Sequence, residues 1–280
     1  MKNLILISGL LMAAFLFGCS SDNPTIPTTA DDALVDGSIY QRPEFIDDRP
    51  LAVQEQFTLT ADDVFTVAPT AEKAGGKYAL VIGISDYAGT ANDLTYCDDD
   101  AIDWRNYLQG QGYTVTTLLD GAATAAAIQS AVGNLASLSI AGNEIAFAYS
   151  GHGSRGNMIS ADLYYVSSSW FGGMFAGVGS TKMAFNFDAC QIGAFGTALN
   201  AAGRVIALAS DTRRYSYDGT AAMANGVFTY YQMLGFDQQG YVFAEDDDAY
   251  ACQQMILWAK SVRVKVAPSY VDTYVGSLDY

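Results

Sequence analysis

The sequence predicts an α/β fold, a mostly parallel sheet of about six strands with helices on both faces. Two observations predict it. Apolar runs of strand length recur, such as residues 78–84, continuous enough to be buried on both sides. Between them lie segments of helical period, such as residues 98–110, opened by acids and stopped at Gly110, and residues 124–135, capped by Thr124. With 280 residues, half of them hydrophobic and 16% charged, the chain can bury a sizeable core.

Residues 1–18 stand outside that fold. Lys2 gives a small positive start, and residues 4–17 are apolar but too short to span a bilayer. They end in Leu16-Phe17-Gly18-Cys19, which resembles a bacterial lipobox cleaved before a lipidated cysteine, with plain secretion or an uncleaved anchor as alternatives. Ser20 rather than aspartate after Cys19 favours the outer membrane, so the expected place is the cell envelope, facing periplasm or surface. Residues 19–76 hold Pro, Thr and acids with little periodicity and read as a tether and pro-segment. Two stretches in it, 57–60 and 64–67, have strand character. From sequence, residues 40–70 either block a site or pack on the far side. Ala74-Gly75-Gly76 marks the boundary of a domain over 77–280.

Within that domain, residues 78–84 form the first strand. Residues 98–110 form a helix, acidic at its start, with Ala101, Trp104 and Leu108 on one face. Residues 113–119 are the second strand. Thr124 caps a helix over 124–135 that buries Ile128, Val132 and Leu135. The third strand runs to Ser150, the fourth to Asp188, and the fifth is 204–209. Helices follow over 226–235 and 245–260, and a short strand is expected at Val264-Lys265-Val266.

Formal net charge is −16, and −17 once residues 1–18 and their Lys2 are gone, which excludes nucleic-acid binding by phosphate neutralisation. Cys97, Cys190 and Cys252 have no CxxC spacing, and His152 is the single histidine, so neither a disulfide framework nor a metal site is expected. Asp246-Asp247-Asp248 lacks calcium-loop spacing and reads as a solvated helix start. Gly151-His152-Gly153-Ser154-Arg155-Gly156 fits a dinucleotide fingerprint by letter, but no helical period follows it, so no cofactor is expected.

The chemistry concentrates at two strand ends. His152 follows the third strand in Tyr149-Ser150-Gly151-His152-Gly153, and Cys190 follows the fourth in Phe187-Asp188-Ala189-Cys190. Carboxyl ends of parallel strands are where open α/β sheets bind ligands, and an imidazole beside a thiol is what a cysteine nucleophile needs.

These two motifs, with Leu94-Thr95-Tyr96-Cys97-Asp98-Asp99-Asp100-Ala101 after the first strand, resemble the caspase-like cysteine peptidases, nearest to metacaspases and their bacterial relatives. Gly226-Val227-Phe228-Thr229-Tyr230 is a weaker fourth match, and the resemblance spans residues 77–260. It implies a caspase-hemoglobinase sandwich, Cys190 as nucleophile, His152 as general acid and base, and an oxyanion held by the backbone N–H groups of Gly153 and Cys190. It also implies a pocket from Cys97, Asp100, Ser150 and Asp188. Two carboxylates there would bind a guanidinium or ammonium, so cleavage of protein or peptide substrates after Arg or Lys is expected. Gln191-Ile192-Gly193 departs from the His-Ser-Gly that typically follows the nucleophile. With only Asp162 and Asp188 as acids between Gly153 and Ala189, the calcium site of many metacaspases is not expected. Self-cleavage has Arg155, Lys182, Arg213 and Arg214 as candidates. The alternative function is a catalytically silent module that binds basic peptides. A clostripain- or gingipain-like peptidase would share the chemistry.

Overall fold

The computed structural model describes residues 41–69 and 74–280, which lie in one compact unit. The leader, Cys19 and the tether up to residue 40 lie outside the described residues. Residues 41–50 contain no helix or strand beyond a bridge at Gln41, then lead into one helical turn, α1 (Leu51–Gln54), and a two-residue strand, β1 (Thr58–Leu59). The chain continues as β2 (Lys77–Gly83), α2 (Cys97–Gly110), β3 (Thr114–Leu119), α3 (Ala125–Leu138) and β4 (Glu144–Ser150). Three short strands, β5 (Gly153–Ser154), β6 (Asn157–Ile159) and β7 (Tyr165–Ser167), precede α4 (Ser168–Met174). Then come β8 (Lys182–Asp188), α5 (Ala194–Ala198), β9 (Arg204–Leu208), α6 (Val227–Leu234), α7 (Ala244–Ser261) and β10 (Ser269–Asp272).

The main sheet has six strands in the order β10-β9-β8-β4-β2-β3, parallel except for β10, which pairs antiparallel with β9. The predicted six-stranded, mostly parallel sheet is present. A second sheet, β1-β7-β6-β5, ties the N-terminal segment to the turn after β4, since β1 pairs parallel with β7.

Side-chain size separates the two faces. Odd residues of β4 and β8 (Ile145, Phe147, Tyr149; Met183, Phe185, Phe187) join α3, α4 and α5 in an aromatic-rich core that includes Phe171, Phe175 and Phe195. Even residues are small, Ala146, Ala148 and Ala184, and let α2 lie close against the sheet. Each fully buried large side chain contributes roughly 1.5–3 kcal/mol. Strand period two then fixes where the strands' last residues point. Ser150 and Asp188, both even and paired in register, face α2 and α6.

Three expectations need correction. Residues 64–67 form no strand: Val64 and Val67 instead pack on the core, Val67 beside Gly133 of α3 and Val64 beside Gly173 of α4. The strand at Val264–Val266 is absent because these residues terminate α7. Arg263 takes φ 59° and the Val264 N–H closes back on the Ala259 carbonyl at 2.9 Å, a helix-stop geometry. The last strand comes later, as β10. The acids Asp246-Asp247-Asp248 are not a solvated run either, since Asp247 and Asp248 are buried. Asp247 packs against Gly235, where an added Cβ would stand 1.9 Å from Oδ1, and Asp248 accepts from the Gln232 amide at 3.0 Å. Burial, helped by Asp248, pushes the Asp247 carboxyl up to about 10, and burial pushes Asp248 up to about 8. Both are carried as neutral acids, the cheaper form in an apolar surrounding.

Candidate active site

Register brings the two predicted strand ends side by side. Ser150 of β4 pairs with Asp188 of β8, and the Gly151 N–H donates to the Asp188 carbonyl at 3.3 Å, so His152 and Cys190 leave the sheet together. Gly151 fits because an added Cβ would stand 2.7 Å from the hydroxyls of both Tyr87 and Tyr149. Those hydroxyls hold the histidine's backbone. The His152 N–H donates to Tyr87 Oη at 2.7 Å, and its carbonyl accepts from Tyr149 Oη at 2.7 Å. At Gly153 an added Cβ would lie 2.0 Å from the Cys190 carbonyl oxygen. Only glycine allows that backbone approach.

The imidazole Nε2 lies 2.8 Å from the Asn92 carbonyl oxygen. A carbonyl can only accept, so Nε2 carries the hydrogen and Nδ1 keeps its lone pair. Cys190 sits at a turn whose next residue, Gln191, has φ 53° and is fastened by its N–H to the Arg214 carbonyl at 2.8 Å. Its Sγ accepts the Ser216 N–H at 3.3 Å and faces the Ser216 carbonyl at 3.8 Å. Burial raises the thiol to about 11 and lowers the imidazole to about 4. As the site stands, both groups are neutral.

Three of the four predicted pocket residues, Asp100, Ser150 and Asp188, converge on one guanidinium, and it belongs to the chain itself. Arg42, fully buried, enters from the N-terminal segment. Its Nη2 is 3.3 Å from Asp100 Oδ2 and 3.4 Å from Ser150 Oγ. Nη1 lies 3.2 Å from Asp188 Oδ1 and donates to the Asp188 carbonyl at 2.6 Å. Nε donates to Asp218 Oδ1 at 2.9 Å. Burial opposes charge on Arg42, but Asp188, Cys97, Asp218 and Asp100 outweigh it and hold the proton more firmly than usual.

Asp100 and Asp188 are each held by further donors. Asp100, in the first turn of α2, accepts from Ser150 Oγ at 2.6 Å and from the Gly226 N–H at 2.8 Å. Asp188 Oδ2 accepts the Thr229 N–H at 3.1 Å and its hydroxyl at 3.0 Å, and Oδ1 accepts from Ser216 Oγ. Burial and the neighbouring Asp188 push the Asp100 carboxyl up, with Arg42 pulling the other way. Cys97 is fully buried within electrostatic reach of Arg42. Gly226 forms the floor: a Cβ there would be 2.1 Å from Arg42 Nη2.

Sequence reasoning missed the parts played by five residues: Arg42, Asp218, Asn92, Tyr87 and Tyr149. Asp162 has a different job, its Oδ1 accepting the Ala125 N–H at 2.8 Å at the start of α3. Asp98 takes the Ser85 hydroxyl at 2.5 Å. Among the described residues no group of three or more His, Cys, Asp or Glu is placed to hold a metal ion.

A thiol and an imidazole at adjacent strand ends, beside an acid-lined pocket on a six-stranded sheet, define a caspase-type domain. The chain belongs to the caspase domain family, whose model matches residues 76–231. Members are cysteine peptidases acting on protein or peptide substrates. Among solved structures, the chain is similar to the crystal structure of protein GSU0716 from Geobacter sulfurreducens. That match has 17% identity, covers 73% of this chain and 97% of the other, and has a TM-score of 0.58. It concerns the fold alone. Among proteins with curated descriptions, none matches this sequence.

Proposed function

We propose that the protein is a metacaspase-like endopeptidase that cuts after Arg or Lys, with Cys190 as nucleophile and His152 as general acid and base. The observation that carries this is the seat of Arg42. A guanidinium is matched there by Asp100, Asp188 and Asp218, each with an oxygen within 3.3 Å of a guanidinium nitrogen. The same pocket would leave an aspartate substrate facing three carboxylates at close range, a repulsive and desolvated arrangement.

In this mechanism Nδ1 of His152 takes the thiol proton and the Cys190 thiolate adds to the scissile carbonyl carbon. Backbone N–H groups of Gly153 and Cys190 hold the oxyanion. The C–N bond breaks as His152 returns the proton to the leaving amine. Water, deprotonated by His152, then hydrolyses the thioester and restores the thiol. Asn92 keeps the working tautomer through its carbonyl. The domain is carried on the cell envelope by lipidated Cys19, and Cys19→Ala would abolish labelling by an alkyne-palmitate.

The test is hydrolysis of peptidyl-coumarins ending in Arg, Lys or Asp by an Arg42→Ala chain, with a Cys190→Ala version as the blank. Turnover after Arg and Lys is expected. Turnover after Asp alone contradicts the pocket, and turnover that survives loss of Cys190 contradicts the nucleophile.

A further inference from the structure

We infer that residues 41–46 are an intramolecular inhibitor lying in the cleft as a substrate would, with Arg42 in the specificity pocket and Pro43 as the obstacle to cleavage. The inference rests on the Arg/Lys reading of that pocket and adds what regulates it.

The direction of the chain is the first argument. Gln41 pairs antiparallel with Tyr217, on the loop beyond β9 that also supplies Ser216 and Asp218. Arg42 drops into the pocket. Downstream, the Phe45 ring comes to 5.8 Å from the His152 ring, and Ile46 is clasped by the Asn92 side chain, N–H to Oδ1 at 2.8 Å and carbonyl to Nδ2 at 3.0 Å. A peptide whose arginyl carbonyl is to meet Cys190 has to follow the same course: backbone pairing before the arginine, passage over the imidazole after it. With the segment in place, Cys190 is 3% exposed and His152 1%.

The second argument is the residue after Arg42. An ordinary substrate offers a secondary amide nitrogen, which accepts a proton from His152 and leaves. The nitrogen of Pro43 is tertiary, and its ring carbon fills the space where that N–H would be. Proline also holds the residue before it extended, the conformation that strand-like pairing demands. Arg42 is thus presented well and cut badly. Arg49, the other arginine of the described segment, is likewise followed by proline, Pro50. Neither arginine offers an ordinary peptide bond to an Arg-directed thiol.

The test uses the full chain and two readouts. Iodoacetamide labelling of Cys190, read by peptide mapping, reports the cover without requiring catalysis. Hydrolysis of an Arg-coumarin peptide reports the peptidase. Arg42→Ala is expected to raise both at least tenfold over the natural chain, and Arg42→Gln, which keeps a donor between the acids, substitutes if the first variant does not fold. Unchanged labelling of Cys190 in a folded variant overturns the inference. Faster labelling without hydrolysis of any Arg or Lys peptide upholds the cover and instead sinks the peptidase reading. In Pro43→Ala, all Arg42 contacts remain and the obstacle is gone. The Cys190 thiolate should add to the Arg42 carbonyl carbon, and the bond to the nitrogen of residue 43 should break with a proton from His152. Water should then release the acid. Mass spectrometry should find the cut between residues 42 and 43, absent when Cys190→Ala is added. An intact Pro43→Ala chain alongside an active Arg42→Ala chain removes the role assigned to proline.

Discussion

One methyl group tests whether a guanidinium fills the pocket. Gly226 has φ −59° and ψ 145°, a conformation that alanine adopts without strain, so Gly226→Ala changes space and nothing else. The added carbon would stand 2.1 Å from Arg42 Nη2, 2.5 Å from Asp188 Oδ2 and 2.9 Å from Asp100 Oδ2. To clear it, Nη2 has to leave its contacts with Asp100 and Ser150, already at 3.3 and 3.4 Å. Hydrogen bonds to charged groups are worth about 1.5–3 kcal/mol. Losing one fully and weakening the other costs about 2–4 kcal/mol. In an Arg42→Ala background that part vanishes, and only the adjustment of the two carboxylates remains. Denaturant unfolding of the natural chain, both single variants and the double variant closes a thermodynamic cycle. The expected coupling is at least about 1.5 kcal/mol, with Gly226→Ala milder when Arg42 is absent. Equal costs in the two backgrounds, within about 0.5 kcal/mol, would refute the placement of Arg42. In the Arg42→Ala background, kcat/KM for Arg peptides should fall about 100-fold or more on adding Gly226→Ala, because the substrate guanidinium meets the same methyl.

Two further outcomes are expected. Asn92→Ala removes the two-way clasp on Ile46 but keeps the backbone carbonyl that orients His152. With each neutral hydrogen bond contributing about 0.5–1.5 kcal/mol, Cys190 labelling should quicken by roughly tenfold while the imidazole keeps its tautomer, read by nitrogen NMR. Asp247 and Asp248 hold protons when folded that they release when unfolded, so their share of stability is present at low pH and lost as pH rises towards about 10 for Asp247 and about 8 for Asp248. Asp247→Asn should therefore flatten the decline of Tm between about pH 6 and pH 9. At about 1.4 kcal/mol per unit the effect is at most about 4 kcal/mol. An unchanged slope would mean that Asp247 is not carried neutral.

What the sequence revealed depended on periodicity. The apolar runs before Ser150 and Asp188 located both strand ends, and with them His152 and Cys190, whereas Ser150 and Asp188 themselves were expected at a pocket only through the caspase-like resemblance. Asp100 was expected through the same resemblance, by its C-x-x-D spacing from Cys97. Asp218 was not, because it sits on an irregular loop well beyond the end of β9, held there by a bridge to Gly226 that no local pattern announces. Arg42 was hidden for the opposite reason. It lies in a segment without periodicity, and a lone arginine among Pro and acids carries no signal until the pocket it enters is known. The acids of α7 misled because charge usually means exposure, whereas here a bare glycine, Gly235, leaves room for a neutral carboxyl. Val264–Val266 misled because an alternating apolar triplet serves a helix stop as readily as a strand.

The central claim is that Cys190 faces a pocket built for a basic side chain. Its most direct test is covalent capture of the Arg42→Ala chain by peptidyl chloromethyl ketones carrying Arg, Lys or Asp next to the reactive carbon, followed by mass mapping of Cys97, Cys190 and Cys252. The account predicts stoichiometric addition at Cys190 by the Arg and Lys reagents, and little by the Asp reagent. Preferential capture by the Asp reagent, or addition at Cys252 rather than Cys190, would contradict it.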